Sequence, residues 1–107
     1  MSDYVCYVLR VPANLDGFML VTKAIQYVLD NDGDSRFYEY LQANCDKSYA
    51  CIEKALRLAK TKAIEKMPDA DFIKVFNGEE RDAITVKVFV CYAAQYYRNR
   101  KEFGNAK

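Results

Sequence analysis

The sequence predicts an all-α chain: one domain over residues 1–107, folded as a compact bundle of five or six helices. Three observations predict it. Apolar residues recur at spacings of three and four along most of the chain, the period of a half-buried helix. The composition is 51% apolar with 14% aromatic residues, enough to close one core at this length. Gly and Pro number only 4 and 2, and the chain holds no repeats, low-complexity runs or linkers.

The elements follow in order. Tyr4–Arg10 is rich in Tyr and Val and fits a strand or a short helix; Pro12 ends it. In the segment from Ala13 to Asp30, Leu15, Phe18, Val21, Ile25 and Leu29 make a helical stripe. Gly17 lies inside that stripe, where it costs about 1 kcal/mol against Ala, so a close backbone contact is expected there. Residues 31–35 form a turn with a capping signal. Residues 36–42 form a short helix with Phe37, Tyr40 and Leu41 on one side, and 43–48 a polar connection. Residues 47–67 form an amphipathic helix ended by Met67-Pro68. Residues 69–76 are a short helix and 77–82 a turn. The closing stretch, 83–103, alternates at first through Ile84, Val86, Val88 and Val90. Its length nevertheless favours a helix, either central in the core or half-buried against a second subunit.

Several classes of chemistry are set aside by composition. The chain has no histidine, so Ser-His and Cys-His nucleophile pairs are absent. Cys6, Cys45, Cys51 and Cys91 form no C-x-x-C pair, and read as reduced core residues. Asp30, Asp32 and Asp34 alternate as in a calcium loop, but Ser35 and Leu41 stand where that loop needs Gly and Glu. No metal, no cofactor and no enzymatic activity are expected. The tyrosines read as core packing in preference to a stacking surface for single strands. No window of about 18 apolar residues exists and no leader-like start is seen, so a cytoplasmic chain without a membrane partner is expected.

Net charge is +1, which selects no partner, but the charge is unevenly placed. Residues 44–66 carry Lys47, Lys54, Arg57, Lys60, Lys62 and Lys66 against Asp46, Glu53 and Glu65, a balance of +3. Residues 28–43 have Asp30, Asp32, Asp34 and Glu39 against Arg36, or −3. Residues 69–82 have Asp69, Asp71, Glu79, Glu80 and Asp82 against Lys74 and Arg81, again −3. Further basic residues close the chain: Arg98, Arg100, Lys101 and Lys107.

On the helix over 47–67, Ile52, Ala55, Leu56, Ala59 and Ala63 form the core stripe. Its small alanines allow a neighbour to come close. Lys47, Ala50, Lys54, Arg57, Leu58, Thr61 and Glu65 lie opposite. Glu53–Arg57 is spaced as an i,i+4 ion pair. Leu58 is apolar on an outward face and calls for a contact such as a thymine methyl or a protein surface. A short helix, a tight polar connection and a longer basic helix together make a helix-turn-helix pattern.

These residues resemble the DNA-binding effector domain of the sporulation master response-regulator family. Val11-Pro12, Gly17-Phe18 and Val21-x-x-Ala24-Ile25 match the opening of that domain. The stretch "IEKALRLA" at 52–59 matches its recognition helix, without gaps from Phe37 to Ile64, and "DFIKVF" and the closing helix match in order. The resemblance implies an all-helical domain that binds promoter DNA, as a homodimer or as tandem copies on the duplex. It places Glu53, Lys54 and Arg57 at the family's recognition positions, with Lys54 in place of an Arg. Cys51 stands at a family Arg and Leu58 at a family His. The family carries a receiver domain ahead of the effector domain, whereas this sequence starts at the effector. Regulation by expression level, by a partner, or none at all is therefore expected.

The expected function is a sequence-specific DNA-binding transcription regulator acting on double-stranded DNA. The DNA-contacting set is Lys47, Ser48, Glu53, Lys54, Arg57, Leu58, Lys60, Thr61 and Lys62. The alternative is a protein-interaction module that keeps the fold without DNA binding, using exposed Leu58 or the Tyr92–Tyr97 surface.

Overall fold

The computed structural model describes residues 1–105, and side chains over residues 1–100. It is all-helical over that range. A π-helical turn at Tyr4–Val8 precedes α1 (Gly17–Asp30), α2 (Phe37–Asn44), α3 (Tyr49–Lys66) and α4 (Asp69–Phe76). A short 3-10 turn, Arg81–Ala83, leads into α5 (Val86–Asn105). The expected basic residues Lys101 and Lys107 have side chains outside the described residues. The Cα radius of gyration is 13.2 Å, the value of a close-packed domain of this length.

The ambiguous N-terminal segment is helical. No strand occurs among the described residues for it to pair with. Its own backbone closes through Val5 N–H to Met1 O and Val11 N–H to Val5 O, both 3.1 Å. It buries Tyr4, Val5, Leu9 and Val11. The Tyr4 hydroxyl donates to Ala93 O at 2.7 Å, tying the start of the chain to α5.

Helix α1 lies at the centre, packed against α2, α3, α5 and the N-terminal turn. That position corrects the expected stripe. Gly17, Leu20, Val21, Ala24, Ile25 and Val28 are buried, whereas Leu15, Phe18 and Leu29 are only half-buried. A helix covered on three sides hides a broader arc than a one-sided stripe. Gly17 behaves as expected: a Cβ there would meet the Ala55 carbonyl oxygen and lie 2.8 Å from Ala59 Cβ. The first turn of α1 therefore touches the backbone of α3.

Helix α2 buries Phe37 and Leu41, with Tyr40 turned outward. The preceding acidic loop holds no metal geometry. Asp34 accepts hydrogen bonds from the Arg36 backbone N–H and guanidinium, which keep its carboxyl below the usual range. No cluster of three potential metal ligands exists among the described residues.

Helix α4 starts after Pro68 and ends at Asn77, whose left-handed φ of 51° hands the chain to Gly78 at φ 90°. Thr85 Oγ1 accepts from Val88 N–H and starts α5. In α5 the buried set is Val86, Phe89, Val90, Ala93 and Ala94, which has the helical period. The early alternation is thus a by-product of a Val-rich helix. α5 packs on α1, α3 and α4, so the centre belongs to α1.

One expectation about side chains is corrected. None of the four cysteines is fully buried: Cys6, Cys45 and Cys91 are half-buried and Cys51 is exposed, all as free thiols. Of the tyrosines described, only Tyr4 is in the core; Tyr27, Tyr38, Tyr92, Tyr96 and Tyr97 pack on its edge, and Tyr7, Tyr40 and Tyr49 are exposed. A phenol keeps its oxygen wet where it can. No helix is long and apolar enough to cross a membrane.

Candidate nucleic-acid interface

The site is built on α3, and the N-terminal cap sets where it begins. Ser48 has extended backbone (φ −70°, ψ 159°), and its Oγ accepts from Cys51 N–H at 3.2 Å. The polar connection before it is short, residues 45–48. Lys47 therefore sits in the connection beside the cap, and not on the helical face where periodicity had placed it.

The core side of α3 follows expectation closely. Ile52, Leu56, Ala59 and Ala63 are buried and Ala55 is half-buried; Ile64 and Met67 are also buried. Ala55 and Ala59 face the start of α1, where Gly17 makes its close approach. Locking α3 to the central helix in this way leaves the opposite side open. Ala50, Lys54, Arg57, Leu58, Thr61 and Glu65 are all exposed.

The charged groups on α3 differ in how they are engaged. Arg57 is held by Glu53 in the i,i+4 ion pair, and Lys62 Nζ lies 4.0 Å from Glu65. Lys47 and Lys54 form no ion pair among the described residues. Lys60 is half-buried, and its ammonium donates to Ile84 O at 2.9 Å. It ties α3 to the segment before α5, so its charge is turned away from the open face. The sequence could not show this, because the acceptor is a backbone carbonyl 24 residues away.

The apolar content of the face is larger than the wheel suggested. Leu58 is 47% exposed and Tyr49 50%. Tyr49 leans on Tyr38 of α2, ring centroids 5.4 Å apart, and Tyr38 in turn on Phe37 at 4.9 Å. Beside the face lies an open groove of about 420 Å³ between residues 14–17 and α3, lined by Leu15, Lys47, Cys51, Lys54 and Leu58 among others. The expected contact set lacks Tyr49 and Leu15, although Tyr49 falls within the helix over 47–67; Cys51, which the resemblance places at a family Arg, lines the groove.

The Tyr38 phenol is pushed up to about 12, chiefly by burial and then by the Glu53 carboxylate and Tyr49. Tyr4 is displaced upward further, by burial. An unfolded phenol titrates near 10. The folded state therefore holds these protons when the unfolded chain has released them, and stability must fall as pH rises above about 10. Denaturant midpoints should be flat to pH 9 and drop between pH 10 and 12, with part of the phenolate absorbance appearing only on unfolding. A midpoint that stays constant to pH 12 contradicts the burial of both phenols.

Comparison of the chain with protein-family models, with curated proteins and with solved structures finds no match in any of the three.

Proposed function

We propose that the chain is a sequence-specific DNA-binding regulator in which α2 and α3 act as a helix-turn-helix and α3 enters the major groove. The observation that carries this reading is the open face of α3. It presents Lys54, Arg57 and Thr61 outward, with Lys47 beside the N-terminal cap, on a helix held rigidly from behind. Cations at that end of a recognition helix neutralise phosphates, and exposed side chains in its first turns reach base edges. The short α2 and the four-residue connection agree with the motif, as does the resemblance of residues 52–59 to an effector-domain recognition helix.

Selection from a random duplex library, followed by affinity at several salt concentrations, tests it. A defined motif should be enriched, and log affinity should fall linearly with log salt. Lys54→Ala with Arg57→Ala should weaken binding about 30-fold and make that slope shallower by up to two. Unchanged affinity in this double variant would rule out α3 as the reading element.

A second reading rests on the apolar half of the same face. Tyr49, Ala50, Cys51 and Leu58 are all exposed, and such a patch also suits a protein partner. Failure to enrich any duplex favours this interaction module.

A further inference from the structure

We propose that the outward strip of α3 reads thymine, taking its C5-methyl group in the major groove, with Leu58 as the principal contact. The inference rests on the duplex-binding reading above. Ala50, Lys54, Arg57, Leu58 and Thr61 are exposed along one side of a continuous helix. From Ala50 to Thr61 the helix rises about 16 Å, close to the rise of four or five base pairs.

The inventory of hydrogen-bonding groups narrows what this strip can recognise. Adenine is read by Asn or Gln, and the strip has neither. Arg57 donates to the Glu53 carboxylate in an exposed pair, and the rest of its fork and Lys54 stay available to phosphates or to a guanine beside the methyl contact. The Ser48 hydroxyl oxygen is taken by Cys51 N–H. Lys54 is the remaining charged donor of the strip without an ion pair among the described residues.

What sets the strip apart is its exposed methyl groups. They are the Ala50 Cβ, the Thr61 methyl and the two Leu58 methyls, with Leu58 47% exposed. Thymine carries the apolar group on the major-groove edge, and small apolar side chains are its usual partners. Charge complementarity names duplex DNA as the occupant: Lys54 within the strip and Lys47 at its N-terminal end form no ion pair among the described residues. Phosphate contacts by those lysines would set the strip down over the base edges.

The test uses the duplex enriched by the full chain, resynthesised with deoxyuridine in place of thymine. Base pairing is kept and only methyl groups are lost. Affinity should fall about fourfold for each methyl in contact, with the salt slope unchanged. Leu58→Ala, at an exposed position that leaves the fold intact, should bind the thymine duplex more weakly and lose the deoxyuridine penalty at one base. A deoxyuridine duplex bound as tightly as the parent duplex overturns the inference while leaving DNA binding standing. So does a full deoxyuridine penalty in Leu58→Ala, which would assign the effect to DNA shape. If no duplex is enriched at all, the DNA-binding reading fails first, and the thymine assignment falls with it.

Discussion

Gly17→Ala should cost about 3 kcal/mol and lower the melting temperature by about 10–15 °C. Ordinarily a Gly to Ala change at a helix start is neutral or mildly stabilising, because Ala loses less backbone entropy. Here the added Cβ would press on the Ala55 carbonyl and stand 2.8 Å from Ala59 Cβ and 3.1 Å from the Ala55 carbonyl carbon. Two of those atoms are backbone of a rigid helix and cannot swing aside. Relief requires α1 and α3 to separate, which loosens the contacts of Val21, Ala24 and Ile25 as well. Thermal and urea denaturation read the loss directly. A variant with an equal or higher melting temperature would mean that α1 and α3 do not touch at this point.

Arg81→Met should cost about the same, roughly 3 kcal/mol, although Arg81 lies outside the five α-helices. Its guanidinium donates to Ile64 O and, at 2.8 Å, to Met67 O. Those carbonyls belong to the end of α3, where the helix itself supplies no donors. The same group reaches Asp69 at 2.7 Å and stacks 4.7 Å from the Phe72 ring centroid. A methionine fills much of the volume but leaves the carbonyls unpaired. Most of the loss should come from those caps, because the Asp69 side chain is 93% exposed and its ion pair is heavily screened. Asp69→Asn should therefore cost under about 0.5 kcal/mol. Urea midpoints compare the two, and amide exchange at residues 64–69 should quicken in Arg81→Met alone. Equal small losses in both variants would show that Arg81 is merely a surface charge.

How much of this was legible follows the range of the interactions. The span of α4 was readable to the residue, because Pro68 and Asn77-Gly78 punctuate it locally. The core side of α3 and the exposure of Leu58 were readable from the 3.6-residue period. The close approach at Gly17 was readable as a glycine where a helix prefers Ala, though its partner Ala55 was not. Lys60 and Arg81 were not legible at all. Both bind backbone carbonyls between 14 and 24 residues away, and a carbonyl carries no sequence signature. Lys60 thus looked like one more surface cation. The centrality of α1 was hidden for a related reason. Its sequence resembles any amphipathic helix, and only the arrangement of α2, α3 and α5 around it widens its buried arc.

The placement of α1 between α3 and α5 also bears on synthesis at the ribosome. The last residue of α1, Asp30, and the first of α5, Val86, are separated by 55 residues of chain. At ordinary elongation rates of about 5–20 residues per second, α1 waits on the order of several seconds with one side uncovered. During that interval Leu20, Val21 and Ile25 belong to a partial structure, and the link from Tyr4 to Ala93 does not yet exist. Completion of the core thus waits for α5, and the nascent chain offers holdase chaperones an apolar helix for as long as α5 is unmade.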